Sequence, residues 1–561
     1  MTTETTAAAR GICTNLPSAC SHAAARTPLP MKGADSRCPG CGASLLPTAS
    51  GGGTAAGTGV MRQPGVMAAL LGLALLIALG AWWFTRSVES ARPVSAATVA
   101  AGGALAGITA AATAAAPGGA PASRVVPAAG QQVLRIHGSN TVGAKLAPAL
   151  LANFLAQQGY PELRQEAGAK PDESRLFARS ADGKASVEVQ LHAHGTATAF
   201  TDLAAGQADV GMASRPIKKD ELEATQTLGD LSKAGSEHVI ALDGVAVLVH
   251  GGNTVPRLSL EQLRGIYTGQ ISDWSAVGGP AGPIHVLARD DKSGTWDTFK
   301  SLVMGKEKLL ASARRFEDSA ELSDAVSLDP QAIGFAGLPY VRNARAVAIS
   351  DGSAAPLRPS RFTVATEDYP LSRRLFLYVS PQASELARRF ANYAVSDEAQ
   401  RVADAQGFIG QVPDTAESTA ASPAADLPSV YTALTGKASR LSVNLRFVSG
   451  GDQLDNKARR DLDRIVKLLE GRARQNERVL LLGFADKTGG DCANTRLSQQ
   501  RADAVGRELA TYGVRPAVVH GFGPVAPVAA NDTPAGRERN RRVEVWLTSA
   551  DVKAPAPVRC E

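Results

Sequence analysis

Three short turns in the middle of the chain combine glycine with hydroxyl side chains, which is the chemistry needed to hold an anion. They read GSNT at 138–141, GTAT at 195–198 and SGT at 293–295, and each joins a strand-like segment to a helix-like one. Free backbone N–H groups at a helix N-terminus, with a hydroxyl beside them, can bind an oxyanion. Because Ser and Thr also cap helices that bind nothing, the repetition of the turn in one domain favours anion binding more than any single turn does.

Four cysteines near the N-terminus have the chemistry of a metal site. Cys38 and Cys41 form a CPGCG knuckle of the zinc-ribbon type, and Cys13 and Cys20 would complete four sulfur ligands. Cysteines so closely spaced in a reducing compartment are more often metal ligands than disulfides. We therefore expect a structural zinc ion in a head formed by residues 1–60, the alternative being a disordered head with free thiols.

A membrane segment follows this head. Residues 65–84 are twenty uncharged and mostly apolar residues that end near Trp82 and Trp83, which is long enough to cross a bilayer. Basic residues precede it and are sparse after it, so we predict one transmembrane anchor at 65–85 with a cytoplasmic N-terminus, in the inner membrane. The alternative is a buried core helix, but no neighbouring sequence would cover it.

Stretches rich in small residues and proline divide the rest of the chain into two exported domains. The chain has 561 residues, of which 44% are apolar, and its 59 Lys and Arg against 53 Asp and Glu give a net charge of +6. This small excess argues against nucleic acid as a partner. We expect an Ala/Gly/Pro linker at 86–131, a large domain at 132–413, a second linker at 414–439, a smaller domain at 440–548 and a tail at 549–561. The first linker is uncharged enough to be imagined as a second span, although it has few large apolar side chains.

The large domain alternates strand-like and helix-like segments, which predicts an α/β fold. Its motifs GSNT at 138–141, GQADVGMASRPI at 206–217, ARDDKSGT at 288–295, AIGFAG at 332–337 and YPLSRRLFLYV at 369–379 resemble the type II periplasmic phosphate-binding proteins of ABC transporters, the PstS-like family. The resemblance implies a two-lobed periplasmic-binding-protein domain, phosphate or a related oxyanion as the ligand, and an ABC transporter permease as a possible partner.

The same resemblance implies which residues contact the anion: Ser139, Thr141, Thr196, Ser214, Arg289, Ser293, Gly294 and Thr295. Arg289 would be the single cationic contact, held in place by Asp291. Many family members have Asp where this chain has Ser214, and that carboxylate accepts the proton of monohydrogen phosphate. Ser214 can accept or donate a hydrogen bond, so it does not discriminate against sulfate as that carboxylate would.

The smaller domain shows a βαβαβ order of strands and amphipathic helices, which predicts an α+β fold. Its segments 483–505 and 531–547 resemble the OmpA-like peptidoglycan-binding domain. By position the resemblance implies that Asp486 and Arg501 grip the zwitterionic diaminopimelate of a peptide stem, with Asn494 and Arg541 as supporting residues. The plain alternative is that Asp486 and Arg501 only pair with each other.

Two further cysteines, Cys492 and Cys560, lie on the exported side of the predicted anchor. An oxidising compartment favours pairing between them. We expect a disulfide that ties the C-terminal tail beside the Asp486 loop.

These observations favour a non-enzymatic solute-binding protein that is anchored in the membrane and docks on the cell wall. A structural tether with a degenerate or protein-contacting binding domain is the alternative. An enzyme acting on phosphate esters is disfavoured, because the sequence shows no pairing of nucleophile and base and no metal cluster in the exported domains.

Overall fold

A computed structural model of the chain describes residues 10–13, 29–30, 38–39, 45–47, 131–170, 172–291, 293–415, 427–448, 451–472 and 477–556. They belong to two units, with the division after Pro117. No helix among these residues is long and apolar enough to cross a membrane, and the predicted anchor at 65–85 lies outside them.

The N-terminal unit contributes a small antiparallel sheet of β1 (Arg10–Cys13), β2 (Leu29–Pro30) and β3 (Leu45–Pro47) in the order β2-β1-β3. Of the four predicted zinc ligands, Cys38 is buried, only the backbone of Cys13 is described, and Cys20 and Cys41 lie outside the described residues. No metal-holding group of acidic, histidine or cysteine side chains occurs in the part of the chain that the structure describes.

The large domain is built on one mixed sheet. The strands of the domain are β4 (Gln131–Gly138), β5 (Glu162–Ala167), β6 (Glu173–Arg179), β7 (Ser186–His192), β8 (Val210–Ala213), β9 (Glu237–Val249), β10 (Arg257–Ser259), β11 (His285–Arg289), β12 (Arg314–Phe316), β13 (Ala332–Gly337), β14 (Arg345–Ala346), β15 (Ala348–Ser350) and β16 (Ser372–Val379). Of these, β10 and β15 form a separate parallel pair. Its α-helices are α1 (Ala147–Gln157), α2 (Thr196–Ala204), α3 (Lys219–Ala224), α4 (Leu260–Thr268), α5 (Gly294–Phe299), α6 (Ser319–Leu328), α7 (Arg361–Ala365), α8 (Glu385–Ala394) and α9 (Asp397–Ala405).

Two strands connect the lobes of this domain. The sheet order is β12-β11-β13-β9-β16-β8-β4-β7-β6-β5, so that β9 and β16 lie at its centre. The first part of β9 and the second part of β16 pack in a first-lobe core with α1 and α8, whereas the rest of β9 packs in a second-lobe core around Tyr267 and Phe335. The predicted two-lobed α/β fold is confirmed, and we refer to β9 and β16 as the hinge strands.

The predicted turns begin helices as expected. Ser293 is the N-cap of α5, where its hydroxyl accepts a hydrogen bond from the Trp296 amide at 3.3 Å, and α2 begins at Thr196. The GSNT turn instead leads into a π-helical turn, Val142–Leu146, that continues as α1. All three turns follow the carboxyl ends of strands. Strands β4 and β7 are parallel, so the GSNT and GTAT turns lie at one edge of the sheet in the first lobe. The SGT turn follows β11 in the second lobe.

The smaller domain has a four-stranded sheet with the order β17-β20-β18-β19. Its elements are β17 (Ser439–Arg446), β18 (Arg478–Gly483), β19 (Val518–Gly521) and β20 (Arg542–Thr548), with α10 (Ser429–Thr435), α11 (Asn456–Arg472), α12 (Asp491–Thr511) and α13 (Pro534–Asn540). The βαβαβ order is confirmed, and β20 adds a fourth strand. Helix α10 lies in the stretch predicted as linker, and it buries Tyr431 and Leu434 against Phe484 and Trp546.

Charged side chains join the two domains. Glu367 of the large domain is 7% exposed and accepts hydrogen bonds from Arg374 of its own domain and, at 2.7 Å, from Nε of Arg446 in the smaller one. Its backbone has φ 58°, a left-handed conformation that costs about 1 kcal/mol. Arg440 and Asp368 form a second buried pair across the junction at 2.9 Å. A buried carboxylate with two guanidinium partners holds the domains in one arrangement.

The Glu367 cluster makes stability depend on pH. Burial alone would raise the pKa of Glu367, but Arg374 and Arg446 outweigh that effect and hold it well below the ordinary value of 4.5. A carboxyl with a lowered pKa stabilises the fold fully above the pKa of the unfolded chain, about 4.3, and loses that contribution as the pH falls below it.

We expect Glu367→Gln to lower the free energy of unfolding at pH 7 by about 3 kcal/mol, because it removes the counter-charge of buried Arg446 and one of the two carboxylates that pair with buried Arg374. Urea unfolding at pH 7 and pH 3 measures this. The difference between wild type and variant should shrink at pH 3, whereas Glu162→Gln, which changes an exposed side chain, should have little effect at either pH. An equal difference at both pH values would contradict the assignment.

Candidate functional site

A first cavity of about 450 Å³ lies between the lobes of the large domain. Five of the predicted anion contacts line it: Thr141 from the first lobe and Arg289, Ser293, Gly294 and Thr295 from the second. The two lobes therefore present hydroxyl groups and the start of α5 to one space, as the sequence predicts. This arrangement can surround an oxyanion with N–H and O–H donors.

The lobes touch at Thr141 and Gly294. A Cβ atom added to Gly294 would overlap the hydroxyl oxygen and backbone of Thr141. Gly294 is thus required for close approach of the lobes rather than for an unusual backbone angle.

A second cavity of about 580 Å³ lies on the other side of this contact. Thr196 and Ser214, the other two predicted cavity-lining contacts, share it with Asp297 and Arg373. The Thr196 hydroxyl accepts a hydrogen bond from the Ser214 amide at 3.0 Å, and the two hydroxyl oxygens are 3.1 Å apart. The remaining predicted contact, Ser139, is 2% exposed and lines neither of these two cavities; its amide donates to the carbonyl of Met212.

Arg373 connects the two cavities, and the sequence analysis did not identify it. Its Nη2 donates to the Thr141 hydroxyl at 2.7 Å and to the Asp243 carboxylate at 2.9 Å, and its Nε donates to the same carboxylate at 3.1 Å. Asp243 lines the first cavity and Arg373 the second. The signal was available in YPLSRRLFLYV, because alternation along a strand puts the first of two consecutive arginines on one face and the second on the other.

Arg289 is held differently from the prediction. Its guanidinium donates to the Phe316 carbonyl at 3.2 Å, to the Glu317 carbonyl at 2.6 Å and to the Ser319 hydroxyl, and it lies 3.5 Å from Asp290. The predicted partner, Asp291, instead pairs with Arg315 at 2.6 Å, so that prediction is wrong. Arg289 and Asp291 are two residues apart at the end of β11, but the chain has left the strand before Asp291 and no longer follows its alternation.

Asp297 adds a carboxyl group to the second cavity. It lies one helical turn after Ser293, and its amide donates to the Ser293 carbonyl at 3.0 Å. Removal of water by the surrounding protein raises the pKa of Asp297, an effect that Arg373 partly offsets. A carboxylate with a raised pKa is a better acceptor for a proton carried by a ligand.

The smaller domain gathers a second cluster of predicted site residues. Asp486 is paired with Arg541 at 3.0 Å, and its other oxygen accepts the Thr488 amide at 2.8 Å. Burial opposes the ionisation of Asp486, but the Thr488 and Arg541 hydrogen bonds prevail and lower its pKa. The plain alternative, a direct pair of Asp486 with Arg501, is not what the structure has. Arg541, predicted as a supporting residue, is the direct partner.

Arg501 and Asn494 lie in helix α12 beside this pair and are 1% and 5% exposed. The guanidinium of Arg501 lies over the Phe447 ring and donates through Nε to the Gly451 carbonyl at 3.2 Å. Burial, with a smaller contribution from Arg541, lowers the pKa of Arg501 to about 10, so it stays charged at neutral pH.

Three buried donors in this cluster have no acceptor among the residues that the structure describes: Nδ2 of Asn494, Nη1 of Arg501 and Nε of Arg541. Leaving a buried donor unsatisfied costs about 1–3 kcal/mol, and more when it is charged. A carboxylate ligand would satisfy such donors, while Asp486 would suit an ammonium group.

Cys492, at the start of α12, is disulfide-bonded. Its predicted partner, Cys560, lies outside the described residues, so the pairing of these two cysteines stays a prediction.

Comparisons with known proteins match the two domains separately. The family described as "PBP superfamily domain" matches residues 174–398, and the OmpA family matches residues 446–541. The phosphate-binding protein PstS of Staphylococcus aureus (strain USA300) is 28% identical over 297 residues, which are 50% of this chain and 89% of that protein.

Two solved structures are also similar to parts of this chain. A crystal structure of an ABC-type phosphate transport receptor from Vibrio cholerae is 25% identical, with a TM-score of 0.39 over 49% of this chain and 99% of that one. The periplasmic domain of Helicobacter pylori MotB (residues 90–256) is 25% identical, with a TM-score of 0.18 over 20% of this chain and 74% of that one. The two family matches fall on the two domains described above, and the chain thus joins a PBP superfamily domain to a C-terminal domain of the OmpA family.

Proposed function

We propose that this chain is a solute-binding protein for phosphate that docks non-covalently on peptidoglycan. The observation that carries the proposal is the convergence of Thr141, Ser293, Gly294 and Arg373 at the contact between the lobes. The relative named phosphate-binding protein PstS supports the choice of ligand, since it matches 297 residues of this chain. It also supports a receptor rather than an enzyme.

The charges around the cavities favour phosphate over sulfate. Ser214 stands where many PstS-like proteins carry a carboxylate, and Asp297 brings a carboxyl group to the same cavity as Ser214. Monohydrogen phosphate can donate its proton to that carboxyl group, whereas sulfate has no proton to donate and would be repelled. Asp297 thus replaces the acceptor that the sequence lacks at Ser214.

Calorimetry of the full-length chain in mild detergent tests the ligand. We expect phosphate to bind with a lower Kd than sulfate. Gly294→Ala should weaken phosphate binding at least ten-fold, because the added methyl group collides with Thr141 and keeps the lobes apart. Gly251→Ala is the matched control, since its Cβ would meet no atom within 4 Å. Absence of phosphate binding in a folded wild-type chain would overturn the proposal.

Asp297→Asn tests the basis of selectivity. An amide carries no charge to repel sulfate and accepts the phosphate proton less well, so the ratio of sulfate Kd to phosphate Kd should fall by about ten-fold, which corresponds to about 1.4 kcal/mol. Titrations of wild type and variant with both anions at pH 7 measure this ratio. An unchanged ratio would show that another group selects the anion.

Peptidoglycan binding is assigned to Asp486, Asn494, Arg501 and Arg541. The three unsatisfied donors of this cluster suit the carboxylate of diaminopimelate, and Asp486 suits its ammonium group. The OmpA match over residues 446–541 supports this assignment.

A pull-down of the chain with purified cell-wall sacculi tests it. Asp486→Ala and Arg501→Ala should each reduce binding strongly, because each removes one half of the recognition of a zwitterion. Arg478→Ala, which removes an exposed ion pair with Asp551, should leave it unchanged. If binding survives both site variants, the cell wall is held elsewhere.

The proposal extends to regions outside the described residues. Residues 65–85 would anchor the chain in the inner membrane with the two domains on the periplasmic side, where an ABC transporter permease is a possible partner. In the head, Cys38 is buried, as a ligand thiolate would be. Together with Cys13, Cys20 and Cys41 it would hold one structural zinc ion. The alternative role, a tether whose binding domain contacts protein, would not require the converging hydroxyl groups.

A further inference from the structure

The OmpA-family domain contacts both lobes of the PBP domain. Toward the first lobe, Asn456 donates to the Ser232 carbonyl at 2.8 Å and Arg464 donates to the Val395 carbonyl at 3.0 Å. Toward the second lobe, Arg539 pairs with Asp351 at 2.7 Å, and the Arg440–Asp368 and Arg446–Glu367 pairs lie beside it. One rigid body thus bridges two lobes that are joined by the hinge strands.

Two consecutive arginines of hinge strand β16 face different regions, one the proposed anion site and the other the junction of the two domains. Arg373 points to the anion site, where it donates to Thr141 and Asp243. Arg374 points to the domain junction, where its Nη1 donates to Asp455 of the OmpA-family domain at 2.8 Å and its other nitrogens donate to Glu367. Because the two residues are consecutive in β16, a displacement of this stretch of backbone moves both side chains.

Arg374 also lies between the two ligand sites. It lines the second cavity together with Thr196 and Ser214. It further lines a smaller cavity of about 350 Å³ at the junction, and Arg541 of the peptidoglycan cluster lines that cavity too. Arg373 and Arg374 therefore lie between the two cavities of the large domain and the junction cavity that Arg541 also lines.

We propose that Arg374 is a positioning residue of the anion site, through which the OmpA-family domain sets the hinge strand and links anion binding to peptidoglycan binding. The inference rests on the proposed function, because it takes phosphate and the peptide stem as the two ligands. It goes beyond that function in giving the two sites a common element.

The linkage follows from the contacts on both lobes. An anion that draws the lobes together changes the arrangement that the OmpA-family domain must span, so its contacts differ in free energy between the two arrangements. A peptide stem that binds beside Arg541 would change the same contacts between the OmpA-family domain and the two lobes. Thermodynamic reciprocity then requires that each ligand alter the affinity of the other by one common factor.

Cross-titration of the full-length chain in mild detergent tests this. The Kd of a soluble muropeptide that carries diaminopimelate is measured without and with saturating inorganic phosphate, and the Kd of phosphate without and with the muropeptide. We expect the two ratios to agree and to differ from one by about five-fold or more. A merely structural role of the junction would leave both ratios at one.

Asp455→Asn tests whether the contact between Asp455 and Arg374 links the two sites. Asp455 caps helix α11 by accepting the Ala458 amide at 2.7 Å, and Asn caps a helix equally well, so the variant should fold while its ionic hold on Arg374 is lost. We expect the variant to bind phosphate more weakly, and we expect both ratios of Kd values, without and with the other ligand, to lie closer to one. Asp551→Asn, which removes the exposed pair with Arg478, should match wild type.

The outcomes separate this inference from the proposed function. If neither phosphate nor muropeptide binds wild type, the proposed function fails and the linkage fails with it. If both bind and the two ratios equal one, the function stands and the linkage is overturned. If the ratios differ from one and Asp455→Asn leaves them unchanged, the role of Arg374 is overturned.

Discussion

The buried ion pair of Arg373 with Asp243 is the interaction on which the proposed anion site depends. It joins neighbouring hinge strands, β16 and β9, at the point where their side chains pass from one lobe to the other. Two charges taken out of water are costly unless each is paired and fully hydrogen-bonded. Asp243 satisfies two nitrogens of Arg373, and Thr141 accepts a third hydrogen bond. The pair therefore fixes the hinge strands relative to the first lobe at the contact between the lobes.

Much of the site followed from sequence because it depends on local structure. A helix N-cap is set by a few consecutive residues, so the SGT turn could be placed at the start of α5 and the GTAT turn at the start of α2. The strand-like segments before the GSNT and GTAT turns were placed for the same reason, and they form β4 and β7. The resemblance to two families supplied the rest, including the conjunction of Asp486, Arg501 and Arg541 in one cluster.

What escaped prediction depends on contacts between distant segments. Arg373 was visible in a quoted motif, but its partners Asp243 and Thr141 are 130 and 232 residues away. The partner of Arg289 was misassigned because spacing along the chain does not determine direction once a strand has ended. Helix α10 was taken as linker from its composition, yet Tyr431 and Leu434 are buried in one cluster with Phe484, which follows β18, and Trp546 of β20.

The junction of the two domains shows why charge, rather than apolar area, suits a contact that must be specific. An apolar interface tolerates sliding, whereas a carboxylate that is held by two guanidinium groups loses several kcal/mol if one partner moves away. Glu367 accepts from Arg374 and Arg446 while its own backbone is in a left-handed conformation, so the geometry is set by the ions and not by local preference. Such a contact has few alternative arrangements of similar energy. In the linkage proposed above, small changes in the hinge strands would be transmitted across this interface instead of being absorbed, because it has few arrangements into which it could slip.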